Sequence, residues 1–192
     1  HAALLGEIWR GAAKGLRDVV LLTLGTGVGG AVVSGGRLLR GHIGRAGHLG
    51  HISLNPHGTP DIAGTPGSLE DAIGNVTVAR RSAGRFQTTR GLIDAVSLGD
   101  PFAEAVWSES VRALAAGITS LINCFDPACV LLGGGIAAGS RDLLLTPLER
   151  WLESFEWRPG DHRVRLGLAA LGGWAGAHGA AWNAANPGRS AS

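Results

Sequence analysis

The sequence predicts an α/β protein, and three observations carry that prediction. Two short apolar runs, Val19-Val20-Leu21-Leu22-Thr23-Leu24 and Cys129-Val130-Leu131-Leu132, are bounded by turn residues and read as strands buried on both faces. Around them lie segments of helical length whose apolar residues recur at helical spacing, most clearly over residues 100–123. At 192 residues and 45% apolar content, the chain can bury one sizeable core.

The elements follow in order. Leu4, Leu5, Ile8, Trp9, Ala12 and Leu16 predict an amphipathic helix over residues 2–16. The first buried strand comes next. Residues 25–30, Gly-Thr-Gly-Val-Gly-Gly, turn the chain, and Ala31-Val32-Val33 returns as a second strand. Ser34-Gly35-Gly36-Arg37 predicts a tight hairpin turn, because glycine supplies positive φ without steric cost. Residues 41–67 are rich in glycine and histidine and lack helical periodicity, with one predicted strand at 51–54. Ordered loops of that length in compact domains usually serve a function. Ser68 is a candidate N-cap, with Glu70 and Asp71 favourable in the first turn that follows.

Shorter helices are predicted at 76–85 and 92–96. Asp100-Pro101 opens the long helix, since proline is tolerated in a first turn, and Asp126-Pro127 stops it. The second buried strand runs into Gly133-Gly134-Gly135. A helix over 141–154, a strand at 164–168 and a helix over 173–185 complete the fold, with a polar tail at 186–192.

Composition excludes several functions. The formal charge is +2 and the arginines are scattered, so a pI near 9.0 makes no nucleic-acid footprint. No apolar window reaches the roughly 18 residues of a membrane span, and the start His1-Ala-Ala-Leu-Leu-Gly-Glu has no leader-like charged region and cleavage site. A cytoplasmic protein without nucleic-acid or membrane partners is expected. Cys124 and Cys129 read as core thiols of a reducing compartment. The lack of methionine predicts that these residues belong to a longer reading frame. Lys14 is the only lysine, and Ala13-Lys14-Gly15 lacks the Gly-Lys-Ser/Thr of a P-loop.

Gly25, Gly27 and Gly30 match G-x-G-x-x-G after a strand, which raises a dinucleotide site. That fingerprint opens a helix and needs an acidic residue about 20 positions on for the ribose. Here a β-branched strand follows, and no Asp or Glu lies between Asp18 and Asp61. Two readings remain. Either the turn is a structural hairpin, or its backbone N–H groups and the Thr26 hydroxyl form a concave nest for phosphate.

Longer stretches decide between them. Leu22-Thr23-Leu24-Gly25-Thr26-Gly27-Val28-Gly29-Gly30 resembles the second phosphate-binding segment of the ROK family of sugar kinases and repressors. The stretches His1-Ala-Ala-Leu-Leu-Gly-Glu7, Gly35-Gly36-Arg37-Leu38-Leu39-Arg40-Gly41, Gly47-His48-Leu49-Gly50-His51, Gly67-Ser68-Leu69-Glu70, Leu132-Gly133-Gly134-Gly135 and Gly176-Ala177-His178-Gly179-Ala180-Ala181 follow in family order. The resemblance implies an actin-like ATPase (ribonuclease H-like) fold with a mixed sheet flanked by helices. Residues 1–185 would form its C-terminal, larger lobe, without the N-terminal lobe.

By that resemblance, Gly25, Thr26 and Gly27 face phosphates, Gly133, Gly134 and Gly135 approach adenosine, and His48, His51 and Glu70 bind sugar. The family's Gly-Glu-x-Gly-His stands here as Gly47-His48-Leu49-Gly50-His51, so His48 replaces a carboxylate that only accepts with an imidazole that can also donate. The catalytic aspartate of an Asn-Asp pair would lie before His1, so no catalytic residue is assigned within the chain. Asp61, Ala63 and Ser68 stand where family members carry zinc-binding cysteines, so no zinc is expected; Pro60 and Pro66 would stiffen the loop instead.

The resemblance thus implies one lobe of an ATP- and Mg²⁺-dependent hexose kinase, inactive alone and able to form a homodimer. A sugar-sensing repressor domain and a non-catalytic remnant are the alternatives.

Overall fold

The structure, a computed structural model, describes residues 1–186; the predicted polar tail lies outside them beyond Asn186. Strands β1 (Val19–Leu24), β2 (Val28–Ser34), β3 (Arg37–Leu38), β4 (Cys129–Gly133) and β5 (Arg165–Leu168) form one five-stranded sheet in the order β3-β2-β1-β4-β5. β1 runs antiparallel to β2 and parallel to β4, with Thr23 opposite both Gly29 and Gly133. β4 and β5 are parallel. The β2–β3 turn forms at Gly35 and Gly36, whose φ of 57° and 78° explain the glycine pair.

Helices cover both faces of this sheet, which is why its central strands are apolar without alternation. On one face, α1 (Ala2–Arg10) and α8 (Ala175–Ala185) lie against Val19, Leu21, Ala31, Val33 and Leu131. On the other, Val20, Leu22, Leu24, Val32, Val130 and Leu132 meet Leu114, Ile118 and Ile122 of α5 (Pro101–Phe125) and Leu144, Leu148 and Leu152 of α7 (Arg141–Phe155). The Asp100 side chain caps α5 by accepting from Phe102 N (3.0 Å) and Ala103 N (3.2 Å). Pro147 lies inside α7 and leaves one carbonyl of the preceding turn without its helical donor. The Trp107 indole N–H donates to Leu143 O at 2.8 Å in its place.

Several expectations are corrected. The first helix ends at Arg10 rather than residue 16, because the buried Glu7 carboxylate accepts the Ala12 N–H at 2.7 Å and turns the chain. Residues 51–54 form no strand. Leu49–His51 is a 3-10 turn, and Ser53 makes a single bridge to Ser68. Residues 76–85 hold a 3-10 turn at Asn75–Thr77 and the short α3 (Val78–Arg81), while α4 extends over Thr89–Ser97. Cys124 is exposed on α5; only Cys129 is a core thiol. Ser68 does cap α2 (Leu69–Ile73), accepting from Asp71 N at 3.3 Å. The remaining helix, α6 (Gly134–Gly139), starts inside the glycine triplet.

Candidate functional site

The turn between β1 and β2 is held from two sides. Gly25 O and Thr26 O accept from Asn75 N and Val76 N, both at 2.9 Å, and Gly25 N donates to Gly27 O at 2.9 Å. Val28 N donates to Glu70 Oε2 at 2.9 Å. Those bonds use the Gly25 and Val28 N–H groups. The N–H groups of Thr26 and Gly27 have no protein partner among the described residues, which leaves them for an anion. A Cβ at Gly27 would collide with the Glu70 carboxylate, whereas one at Gly25 would meet open space. A side chain at position 27 would therefore displace the Glu70 carboxylate from Val28 N. Gly25, Thr26, Gly27, Glu70 and Gly134 share one open groove.

Behind the turn lies a cavity of about 360 Å³ bounded by Gly25, Thr26, Asn75, Thr89, Gly135 and Ser140. Gly134 has a φ of 88°, and a Cβ there would collide with Leu24 O, so the β4–α6 junction closes onto the end of β1 only with glycine. Thr89 is 3% exposed, and its hydroxyl has no hydrogen-bond partner among the described residues. The Asn75 side chain accepts from Thr89 N at 2.7 Å while its backbone holds Gly25. Asn75 thus ties the turn to the cavity wall.

Gly133, Gly134 and Gly135 also line a second cavity of about 680 Å³ on the α1 side, with Glu7 in its wall. Glu7 is fully buried and accepts from Ala12 N, Ala170 N (3.1 Å) and Leu171 N (2.8 Å). Asn75, Thr89 and Glu7 are missed by sequence reasoning. Each acts through partners distant in the chain, and only Glu7 lay within a recognised stretch.

His51 ends the 3-10 turn and His48 is the residue just before it. His48 is exposed, His51 partly buried, and their rings lie 6.1 Å apart at 27°. A Cβ at Gly50 would collide with Val28 O, so this turn sits directly on the residue whose N–H holds Glu70. Gly50, between the two histidines, and Glu70 thus both meet Val28 at the start of β2.

His51 Nδ1 lies 2.7 Å from Asp61 Oδ2, and Asp61 Oδ1 accepts from Ala63 N and Thr65 N, both at 2.9 Å. Burial alone would raise the Asp61 carboxyl. Hydrogen bonds from His51, Ser68, Thr65 and Ala63 outweigh it and hold the group well below the usual carboxylate range. Its side chain is fully covered, yet the covering is a thin loop close to water.

A structural zinc does not fit these residues. Four-coordinate zinc takes thiolate or imidazole ligands with few exceptions. Ala63 offers no side-chain donor atom, Ser68 caps α2, and Asp61 is already saturated with donors. Among the described residues no group of three or more His, Cys, Asp or Glu could hold a metal ion.

A glucokinase of Halalkalibacterium halodurans is 32% identical over 200 residues, covering 95% of this chain and 60% of that protein. The crystal structure of ROK hexokinase from Thermus thermophilus superposes with a TM-score of 0.87 at 38% identity, covering 94% of this chain and 63% of the other. A ROK family glucokinase from Streptomyces griseus, in complex with glucose and AMPPNP, gives a TM-score of 0.81 at 30% identity, covering 94% and 64%. The chain therefore spans less than two thirds of the length of each relative. The mixed sheet flanked by helices is the actin-like ATPase fold of these sugar kinases. The family model described as "ROK family" matches residues 1–186, and the chain belongs to that family.

Proposed function

We propose that this chain is the C-terminal, larger lobe of an ATP-dependent hexose kinase. One observation carries the reading. Glu70, the proposed sugar ligand, is bonded to Val28 N and touches Gly27 of the proposed phosphate turn. Transfer between ATP and a sugar hydroxyl requires the two substrates to meet, and here Glu70 shares one groove with Gly25, Thr26 and Gly27 of the turn proposed for phosphate.

Thr26 N–H and Gly27 N–H would face the phosphates, and Gly135 with Thr89 the adenosine. His48, His51 and Glu70 would hold the sugar hydroxyls, Glu70 through the oxygen not committed to Val28. Phosphoryl transfer is largely positioning plus charge stabilisation. Mg²⁺ would arrive with ATP, held mostly by phosphate oxygens and water. The remaining step removes a proton from the attacking hydroxyl as its oxygen bonds the γ-phosphorus and ADP leaves. We assign that base to residues outside this chain.

The test is a coupled assay for ADP release over a panel of hexoses, run on the full-length gene product and on residues 1–192. Turnover is expected only from the full-length protein. Turnover by residues 1–192 alone would overturn the placement of the base, and sugar binding without turnover by the full-length protein would assign a sensing role instead.

A further inference from the structure

The loop from Ser53 to Ser68 is organised around a single carboxylate. Its backbone forms a narrow ladder, with Gly67 N donating to Thr59 O and Asp61 N to Thr65 O, both at 2.9 Å, and a bridge between Pro60 and Pro66. At the tip the Asp61 carboxylate divides its two oxygens. Oδ1 accepts from the backbone at Ala63 and Thr65, and Oδ2 faces His51 Nδ1.

An ionised carboxylate only accepts, so the short contact requires a proton on His51 Nδ1. In a neutral imidazole that leaves Nε2 as a bare acceptor, and Nε2 makes no hydrogen bond among the described residues. A metal bound at Nδ1 would do the reverse, displacing the proton to Nε2 and making that nitrogen a donor.

We propose that Asp61 is a positioning residue that holds this loop without a metal and fixes His51 as an Nε2 acceptor toward the ligand. The hydroxyl met by His51 must then donate, rather than accept as it would from a metal-bound ring. His48, 6.1 Å away, is free to supply the complementary role, since one neutral imidazole both donates and accepts. The consequence for sugar recognition rests on the kinase reading; the tautomer and the metal-free loop do not.

Asp61→Asn makes a sharp test. With two backbone N–H groups already facing Oδ1, the asparagine oxygen belongs there, which turns its NH₂ toward His51. Nδ1 must then accept, and the proton moves to Nε2. The His51 ring signals in a long-range proton–nitrogen NMR spectrum, recorded at about pH 8.5 above the ordinary histidine range and assigned by their loss in His51→Gln, report the tautomer directly.

The expected result is a protonated Nδ1 in the parent and a protonated Nε2 in Asp61→Asn. A protonated Nε2 in the parent, or an unchanged ring in the variant, would overturn the proposal. If Asp61→Asn does not fold, the parent spectrum alone decides. A second arm incubates the parent with zinc chloride and measures metal after dialysis; stoichiometric zinc would also refute the metal-free loop. Neither arm uses sugar or ATP, so both stand apart from the outcome of the kinase assay.

Discussion

A buried hydroxyl with no partner destabilises a fold by about 1–3 kcal/mol, and Thr89 sits in that condition in the wall of the 360 Å³ cavity. Such a group persists when a ligand completes it. Thr89→Val keeps the shape and removes the unsatisfied oxygen, so it separates folding from binding. The variant is expected to be more stable by about 1 kcal/mol in urea unfolding and to bind AMPPNP about tenfold more weakly in calorimetry on the full-length protein. Loss of stability with unchanged nucleotide affinity would remove Thr89 from the site. Arg81 shows the opposite case. Burial, helped by the charge of Arg80, pushes it down to about 10. It stays protonated at neutral pH, and its donors are taken by Ser110 Oγ (2.5 Å), Gly74 O (3.0 Å) and Thr77 Oγ1 (3.2 Å). It is a fixed strut under the segment that holds the glycine turn, with three of its five N–H groups committed to protein acceptors.

At the scale of elements, what could be read from the sequence divides by the range of the interactions responsible. Helix α5 and strands β1 and β4 follow from local periodicity and from proline and aspartate at their ends, and they formed where the pattern put them. The glycine turn was legible as a motif for the same reason. The early end of α1 was not, because Glu7 bonds Ala170 and Leu171, more than 160 positions away by either separation of 163 and 164. Residues 51–54 alternate like a strand, yet Ile52 and Leu54 only add half-buried contacts to the core, and their segment takes its shape from the contact of Gly50 with β2. Asn75 and Thr89 carried no pattern at all. Gly133-Gly134-Gly135 carried one, and its sharpest requirement falls at Gly134, which combines a φ of 88° with contact against Leu24 O. Gly134→Ala is expected to lower stability by about 3 kcal/mol, since it adds backbone strain and forces β4 and α6 away from the end of β1. Gly135→Ala meets open space and should fall within about 0.5 kcal/mol of the parent in thermal unfolding. Equal effects would mean that the triplet is a flexible turn and not a fitted junction.

Across the whole molecule, the first and last described helices close the same face of the sheet. α1 and α8 approach through Gly6 and Gly179, where a Cβ would collide with Ala175 O and Ala2 O respectively. Leu4 and Leu5 of α1 pack there on Val19, Leu21 and Val33, a smaller cluster than the one under α5 and α7. The two faces therefore differ in how much apolar surface secures them, and the α1–α8 face is the weaker. Gly179→Val pushes α8 off Ala2 and should uncover that cluster first. Hydrogen exchange read by mass spectrometry is expected to show protection lost in α1 and α8 while α5 amides stay protected, the pattern of local opening rather than global unfolding. Gly176→Ala, on the same helix with nothing within reach of its Cβ, is the control, and should raise stability by up to about 1 kcal/mol through helix propensity alone. Uniform loss of protection in Gly179→Val would show that the sheet transmits the damage and that both faces fold as one unit. Loss confined to α1 and α8 would mean that the wall containing Glu7 and the cavity beside Gly133 can open while the glycine turn, bound to Asn75 and Glu70 on the other face, keeps its shape.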